Sequence, residues 1–230
     1  MDHSHATKRR FNRVLRALPV LLVTMTGCQV FEPVGSFTQK VVDLATGRTA
    51  RNAAVKMEDS HNADNRREGV NELVDRSFGR GDPYTKRYMQ IAESDEDYLV
   101  RATAIRALNR ARWKDATPIF IKSLTDTNDI VQLESAKALA NVPDPNATPA
   151  LIRIVNDQSE NKDVRIAAAD ALRHHGNLEV ARTLVSQLGN RDFGIAWQAH
   201  RSLKTLTKRD LKYDQSAWLQ FLTGPEKPFG

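Results

Sequence analysis

A twelve-residue pattern recurs along the chain and constrains the fold more than any other feature. It reads DYLVRATAIRAL at 97–108, NDIVQLESAKAL at 128–139, NKDVRIAAADAL at 161–172 and, less closely, DFGIAWQAHRSL at 192–203. The final leucines of these copies are 31, 33 and 31 residues apart. A period in the thirties with helical patterning is typical of stacked helical repeats, in which each repeat packs on its neighbours.

Each copy predicts a helix with one apolar side, which we call the B helix. In the first copy the apolar residues are Val100, Ala104, Ala107 and Leu108, a spacing that covers one face of an α-helix. We number positions in every copy from this leading valine, which is position 0. An incomplete copy ending at Leu73 predicts an earlier B helix, so about five are expected.

A second helix, the A helix, is predicted before each B helix. Two of these segments begin with Thr-Pro pairs, at 117–118 and 148–149. A threonine hydroxyl can accept from an unpaired backbone N–H, and proline needs no N–H in the first helical turn. We therefore predict Thr117 and Thr148 as helix N-caps.

These patterns predict an all-α fold, an α-solenoid of stacked antiparallel helix pairs over residues 62–206. Residues 207–230 are expected to form a capping helix and a tail, because Asp214 can cap a short helix whose apolar side would close the stack. Residues 28–61 show no persistent helical or alternating period. We therefore predict that this segment is a flexible tether.

The first 27 residues have the layout of a secretory signal. Five basic residues precede a short apolar run at 17–26, which is too short to span a bilayer. The end of this segment resembles a bacterial lipoprotein signal, although Met25 stands where leucine is usual. The resemblance implies cleavage after Gly27 and lipidation of Cys28, the only cysteine in the chain. An uncleaved anchor helix or a basic tail is the alternative.

The resemblance also implies a location. Gln29 would follow the lipidated cysteine, and in such lipoproteins a residue other than aspartate there points to the outer membrane. We therefore expect a lipid-anchored protein of the cell envelope, on the periplasmic face of the outer membrane.

Most of the positive charge belongs to the leader. Residues 1–27 contain five basic residues and one acidic residue, so about +2 of the net charge of +6 remains in the mature chain. Nucleic-acid binding usually needs a strongly basic surface. We therefore expect no nucleic-acid partner.

The repeated residues resemble HEAT repeats, and more narrowly the short HEAT-like repeats of phycobilisome lyases. The pattern D-x-x-V-R-x-x-A-x-x-A-L at 97–108, and its shorter form D-V-R-x-x-A-x-x-A-L at 163–172, carry the resemblance, which extends over 62–206. It implies an armadillo-type superhelix, but it says little about the ligand. Gln132 and Ala196 stand where the family prefers arginine.

The histidines do not suggest a metal centre. Some HEAT-type proteins are dimetal hydroxylases with paired His-Glu motifs, but none of the histidines after the leader is followed by glutamate. His174 and His175 are adjacent, so on a helix they diverge by about 100°. We interpret both as surface residues at a helix end, and we predict no metal, no cofactor and no catalytic residue.

One set of positions on the B helices departs from a simple amphipathic pattern. Position +2 holds Ala102, Leu133, Ile166 and Trp197, and position +6 holds Arg106, Lys137, Asp170 and Arg201. In the favoured interpretation these side chains pack between neighbouring layers and repeats. In the other they line a concave surface that binds a protein partner. The candidate binding residues are Arg106, Leu133, Lys137, Ile166, Trp197 and Arg201.

The arginines at position +1 also have two interpretations. Arg101 and Arg165 either bridge to acidic turn residues such as Asp97 or Asp129, or they bind an anionic ligand. Bridging is favoured because the arginines recur with the repeat.

Together these features predict a non-enzymatic, lipid-anchored scaffold or adaptor that binds a protein partner. The alternative is a lyase-like or enzyme-accessory protein that holds a cofactor or chromophore in its groove.

Overall fold

The protein is described by a computed structural model that covers residues 47–225 and 228–229. Every regular element within these residues is helical. The predicted signal segment, Cys28 and the first part of the predicted tether, residues 28–46, lie outside the described residues.

The helices alternate between two layers. The A helices are α1 (Arg48–Met57), α3 (Tyr84–Ser94), α5 (Thr117–Ser123), α7 (Thr148–Asn156) and α9 (Leu178–Gln187). The B helices are α2 (Ala63–Val74), α4 (Tyr98–Arg110), α6 (Asp129–Asn141), α8 (Lys162–Ala171) and α10 (Phe193–Thr207). Each B helix packs on its own A helix, and consecutive B helices pack on one another. The fold is therefore an α-solenoid of antiparallel helix pairs, as predicted.

Asparagine or aspartate begins every B helix. The side-chain oxygens of these residues accept hydrogen bonds from backbone N–H groups of the first turn, which would otherwise lack partners. The capping residues are Asn62, Asp97, Asn128, Asn161 and Asp192. The acidic and amide residues between the helices therefore fix where each B helix starts.

The predicted core face of the B helices is buried. Val100, Ala104, Ala107 and Leu108 are at most 1% exposed, and their counterparts in the later copies are buried as well. Two of those counterparts are serines, Ser135 and Ser202. Ser135 Oγ donates to the Val131 carbonyl at 2.8 Å, and Ser202 Oγ to the Ala169 carbonyl at 2.7 Å. Small side chains at these positions let the helices pack closely.

The segment predicted as a flexible tether contains a helix of the solenoid. Helix α1 lies inside it and packs on α2, with Ala53 and Met57 buried. A Cβ at Gly69 of α2 would lie 2.4 Å from the Met57 backbone nitrogen. The prediction of a flexible tether was therefore wrong for residues 48–57. Their amphipathic pattern is short, and their packing depends on a glycine in the next helix.

Arginines at position +1 join consecutive repeats. The Arg101 guanidinium donates two hydrogen bonds to the Asp126 carboxylate, each 2.9 Å long, and one to the Asp95 carbonyl at 2.8 Å. Arg66 makes the same paired bonds to Asp95. Each arginine therefore holds the turn of its own repeat and the turn of the next one. Bridging is correct in kind, but the partner of Arg101 is Asp126 and not Asp97 or Asp129.

The bonds made by the residue at position +1 change in the later repeats. Gln132 Nε2 donates to the Asp126 carbonyl at 2.8 Å, so this residue holds only the turn of its own repeat. Arg165 donates to the Val155 carbonyl and, at 3.1 Å, to Gln187 Oε1. The acidic partner predicted for Arg165 is therefore replaced by an amide.

The threonines of the Thr-Pro pairs do not cap their helices. The N-caps are Ala116 and Ala147, and neither makes a side-chain capping bond. Thr117 Oγ1 instead donates to Asp144 Oδ2 at 2.7 Å, and Thr148 Oγ1 lies 3.1 Å from His175 Nδ1. These hydroxyls therefore connect one repeat to the next, because a short 3₁₀ turn precedes each proline and moves the helix start back.

Helix α11 (Gln215–Thr223) lies within the segment for which a capping helix was predicted. Asp214 caps it, and Trp218 is fully buried with its indole N–H donating to the Lys212 carbonyl at 3.0 Å. The helix packs on α9 and therefore occupies the next position of the A layer.

We predict that Gly69→Ala destabilises the protein. The new methyl group would meet the backbone of α1, and overpacking of this kind costs about 1–3 kcal/mol. Urea unfolding would measure the loss. Gly81→Ala is the control, because a Cβ there meets nothing within 4 Å and its backbone is extended. Equal midpoints for the two variants would contradict the packing of α1 on α2.

We also predict that Asp126→Ala is more destabilising than Asp157→Ala. Both carboxylates accept a backbone N–H two residues ahead, at 3.0 and 2.9 Å. Only Asp126 also pairs with an arginine of the preceding repeat. The difference between the two unfolding free energies should be about 1–3 kcal/mol, the cost of leaving a largely buried charged group without its partner. Equal losses of unfolding free energy would show that the bond between Arg101 and Asp126 does not stabilise the stack.

Candidate functional site

The six candidate binding residues lie along the outer side of the B layer. Arg106, Lys137, Trp197 and Arg201 are exposed, whereas Leu133 and Ile166 are half-buried. Ala102, which holds position +2 in the first copy, is only 1% exposed, while Trp197 at the same position in the last copy is 43% exposed. Neither interpretation therefore applies to the whole set: position +2 is covered by packing in the first copy and is exposed in the last copy.

Glu134 neutralises the basic residues at the centre of this surface. Its Oε2 accepts from Arg106 Nε at 3.3 Å, and its Oε1 accepts from Lys137 Nζ at 3.1 Å. The Glu134 side chain is only 9% exposed. The basic border predicted from Arg106 and Lys137 is therefore largely committed to a neighbour within the fold.

Asp170 makes a similar set of contacts one repeat later. Its Oδ1 accepts from Gln198 Nε2 on α10 at 2.7 Å, and its carboxylate also pairs with Arg173. Gln198 is 5% exposed, so this contact lies inside the boundary between α8 and α10. In both places the residue at position +6 contacts the residue at position +3 of the next B helix.

Ile166 is held by a glycine of the next repeat. A Cβ at Gly194 would lie 3.0 Å from Ile166 Cδ1, which is tighter than an ordinary van der Waals contact. The absence of a side chain at position 194 therefore makes room for the isoleucine. This explains why Ile166 is half-buried while Trp197, in the last B helix, is not.

The exposed end of the surface is a small aromatic and cationic cluster on α10. The Arg201 guanidinium carbon lies 4.6 Å from the Trp197 ring centroid, a cation–π geometry. Phe193 is 69% exposed and its ring centroid lies 6.3 Å from that of Tyr213, which is 40% exposed. We call Phe193, Trp197, Arg201 and Tyr213 the α10 patch.

The connection between α10 and α11, residues 208–214, closes the side of α10 beside this patch. Asp210 accepts from His200 Nε2 at 2.9 Å and from Lys204 Nζ at 3.1 Å, and these bonds hold the pKa of the Asp210 carboxyl well below its usual range. The rings of His200 and Tyr213 are 4.9 Å apart. The connection therefore covers His200 and leaves Trp197 and Arg201 exposed.

The residue at position +5 is covered differently in α10 than in the earlier B helices. The residues at that position in the three earlier copies are fully buried by the following B helix: Ile105, Ala136 and Ala169. In α10 the position is His200, which residues 208–214 cover. Within the described residues no B helix follows α10, whereas the A layer continues with α11.

Four residues of this surface were not predicted from the sequence: Glu134, Phe193, Gln198 and Tyr213. Phe193 precedes Trp197 by four residues, so the helical spacing could have joined them. Glu134 and Gln198 share position +3. Sequence periodicity places this position at the interface between neighbouring B helices but does not identify the residue that it contacts. Tyr213 gives no such signal, because its place depends on how residues 208–214 turn.

His175 is not a surface residue, so that interpretation was wrong. It is 7% exposed, and its Nδ1 lies near the Thr148 hydroxyl. Burial and the neighbouring His174 lower the pKa of His175, against the opposite effect of Asp144. His174 is exposed as expected, and its Nε2 lies 3.0 Å from the Ala140 carbonyl. The turn after α8 places two adjacent histidines in opposite environments.

We predict that His175 makes the fold less stable as the pH falls. Its pKa in the folded protein lies below the ordinary value of 6.5, so the unfolded chain binds a proton first as the pH drops through this range. Its contribution is present above about pH 6.5 and is lost as the pH falls towards the folded pKa. Unfolding free energies at pH 7.5 and 5.5 should differ less in His175→Gln than in the unchanged protein. An equal difference would contradict a depressed pKa.

A cleft of about 390 Å³ lies at the other end of the solenoid, away from the α10 patch. Its lining includes Arg66 and Arg87, and both are paired: Arg66 with Asp95, and Arg87 with Glu58 at 2.6 Å. The charges of the cleft therefore satisfy one another. The α10 patch remains the better candidate site, although it is not a deep cavity.

Within residues 47–225 and 228–229 there is no cluster of three or more histidine, cysteine, aspartate or glutamate side chains arranged to hold a metal ion. No helix in the same part of the chain combines the length and apolar character needed to cross a bilayer.

Comparison with known proteins agrees with the architecture. Residues 85–160 match the family model for HEAT repeats. The solved complex of CpcE and CpcF of phycocyanin lyase from Nostoc sp. PCC7120 is 20% identical, with a TM-score of 0.63 over 77% of this chain and 71% of that chain. The Escherichia coli protein YibA is 19% identical, with a TM-score of 0.60 over 87% and 83%.

An engineered protein is also similar, with 20% identity and a TM-score of 0.54 over 77% of this chain and 90% of that chain. No curated protein matches the sequence significantly. At these identities the solved structures establish the HEAT-like solenoid fold and nothing further.

Proposed function

We propose that the protein is a non-enzymatic scaffold or adaptor that binds a protein partner through the outer side of its B helices. The observation that carries this proposal is the α10 patch, where three aromatic rings and a guanidinium are exposed on a packed helix end. Aromatic and arginine side chains are enriched among the residues that dominate binding energy in protein interfaces. Phe193 and Trp197 are exposed, although large apolar side chains are usually buried.

The stack supports this role because it holds the patch rigidly. Ser202 bonds to the carbonyl of Ala169, and Gln198 bonds to Asp170, so α10 is fixed to α8 at two points on its buried side. A binding surface that is already ordered loses less conformational entropy when a partner arrives. The repeats therefore act as a frame and the last B helix as the contact element.

The proposed location is the cell envelope, with Cys28 lipidated and the protein on the periplasmic face of the outer membrane. Its support is the sequence before residue 29: a basic stretch, a short apolar run and one cysteine. Mass spectrometry of the mature N-terminus tests it directly. A mature chain that begins with an acylated Cys28 is the expected result, and an unprocessed Met1 would reject it.

A second candidate function is a lyase-like or enzyme-accessory role, in which the protein holds a cofactor or chromophore. The specific observation that favours it is the likeness to the complex of two phycocyanin lyase proteins, CpcE and CpcF. Protein purified from its native envelope would then carry a coloured or other bound group. An absorption spectrum of that material, with bands beyond those of aromatic residues, would favour this second function.

We predict that Trp197→Ala combined with Arg201→Ala weakens partner capture at least about tenfold, the usual effect of removing residues central to an interface. Affinity purification from the native envelope, with quantified recovery of each partner, would measure the loss. Because both side chains are exposed, the midpoint of thermal unfolding should change little.

The matched control is Arg182→Ala combined with Leu219→Ala, since both side chains are exposed on A-layer helices. Recovery should be unchanged in this control. Equal loss in both double variants, or loss accompanied by unfolding, would contradict a binding role for the B-helix surface.

A further inference from the structure

Charge matching along the B-helix surface indicates what the partner carries. Arg106 and Lys137 share Glu134, and Arg173 pairs with Asp170. Arg201 is stacked on Trp197, and no carboxylate of residues 47–225 or 228–229 pairs with it. The α10 patch is therefore where this surface offers a cation to a partner.

The stacked geometry leaves Arg201 able to bind a carboxylate. A guanidinium is planar, so the Trp197 ring covers one of its faces while its N–H donors point outward along its edge. Those donors match the two oxygens of a carboxylate. A partner carboxylate can therefore bind without disturbing the contact with Trp197, and an apolar side chain beside it can pack on the exposed rings.

The chain contains its own example of this recognition. Arg106 holds the same position on α4 as Arg201 holds on α10, and it receives the carboxylate of Glu134 from the following helix. Described residues supply no following B helix for α10. A helix of a partner protein can therefore supply the carboxylate for Arg201, as α6 supplies Glu134 for Arg106.

The shape of the patch favours a helix over an extended peptide. Phe193, Trp197 and Arg201 are spaced four residues apart, so they form a line about 12 Å long on one side of α10. The described elements are all helices, so there is no strand edge that could bond to an extended backbone. A helix satisfies its own backbone groups and needs only side-chain contacts.

A second copy of this chain fits less well. Helix α11 already occupies the A-layer position beyond α9. The α1–α2 pair of another molecule could not continue both layers in register. The space beside the patch is therefore suited to a single helix.

We propose that the α10 patch binds an acidic amphipathic helix of a partner protein, with a carboxylate on Arg201 and an apolar side chain of the adjacent turn against Trp197 and Phe193. This inference rests on the proposed scaffold function. It adds the chemical class of the partner segment and restricts the contact to the last B helix.

Site-specific photocrosslinking in intact cells tests the proposal. A benzophenone amino acid is placed in the full-length chain at Phe193 and, in separate variants, at Leu133 and at Arg182 on the A layer. Crosslinked peptides are identified by mass spectrometry. We expect crosslinks from position 193 to a helical segment of another protein with Asp or Glu within one turn of the crosslinked residue. Arg201→Glu should reduce their yield at least tenfold, whereas Arg106→Glu should not.

The positions separate failure of this inference from failure of the scaffold function. Crosslinks from position 133 without any from 193 would leave a partner on the B-helix surface but would reject the α10 patch as its site. Crosslinks from 193 to a basic segment, to lipid or to a second copy would reject the acidic helix. No crosslinks from 133 or 193 above the level at 182 would reject both proposals.

A charge exchange completes the test once the segment is identified. A synthetic peptide of that segment should bind the unchanged protein and lose at least tenfold in affinity for Arg201→Glu. Replacing the acidic residue of the peptide by lysine should restore binding to Arg201→Glu. Restoration specific to that pair would support the contact, and equal binding of both peptides to both proteins would reject it.

Discussion

The bond between an arginine at position +1 and the turn of the next repeat is the interaction on which the rest of the structure depends. Arg66 and Arg101 each fasten their own inter-helix turn through a carbonyl and the following turn through a carboxylate. Because the same aspartates also accept backbone N–H groups ahead of them, one carboxylate orders a turn and links two repeats. From α2 to α6 this linkage sets the register of consecutive B helices, and therefore which of their side chains face outward. Where glutamine replaces the arginine at position 132, the link to the next turn is lost and the connection ahead is two residues longer.

The same positions of the repeat serve packing in one place and exposure in another. At position +2 the side chain grows from Ala102 to Trp197 along the stack, and its burial falls as the following helix ceases to cover it. At position +6, Arg106 is matched by an acid of the next helix and Arg201 is not matched in the same way. Within the described residues no B helix follows α10, so the face that would receive one is partly open. Here residues 208–214 close part of that face, and Asp210 secures the closure through three basic side chains.

Periodicity was sufficient to predict the solenoid and the B-helix core, since each depends on residues close together in the sequence. It was insufficient where a residue's partner comes from another repeat. Thr117 and Thr148 have the composition of N-caps, yet their hydroxyls bond to Asp144 and His175. His175 has the sequence setting of an exposed helix end, yet it is buried with its Nδ1 beside the Thr148 hydroxyl at the start of α7. Helix α1 was not predicted because its packing depends on Gly69 of α2, which lies in a different segment of the sequence.

For the candidate site the division is the same. The sequence determined which positions face away from the core, because 3.6 residues per turn place positions +2 and +6 opposite the leading valine, and it determined that the last copy carries Trp197 and Arg201 there. The tertiary structure decided which of these side chains remain available. Burial and ion pairing depend on the helix that follows, so Arg106 and Lys137 are neutralised by Glu134 while Trp197 and Arg201 stay exposed. Only the arrangement of residues 208–214, which no sequence period describes, decided that Tyr213 would join them.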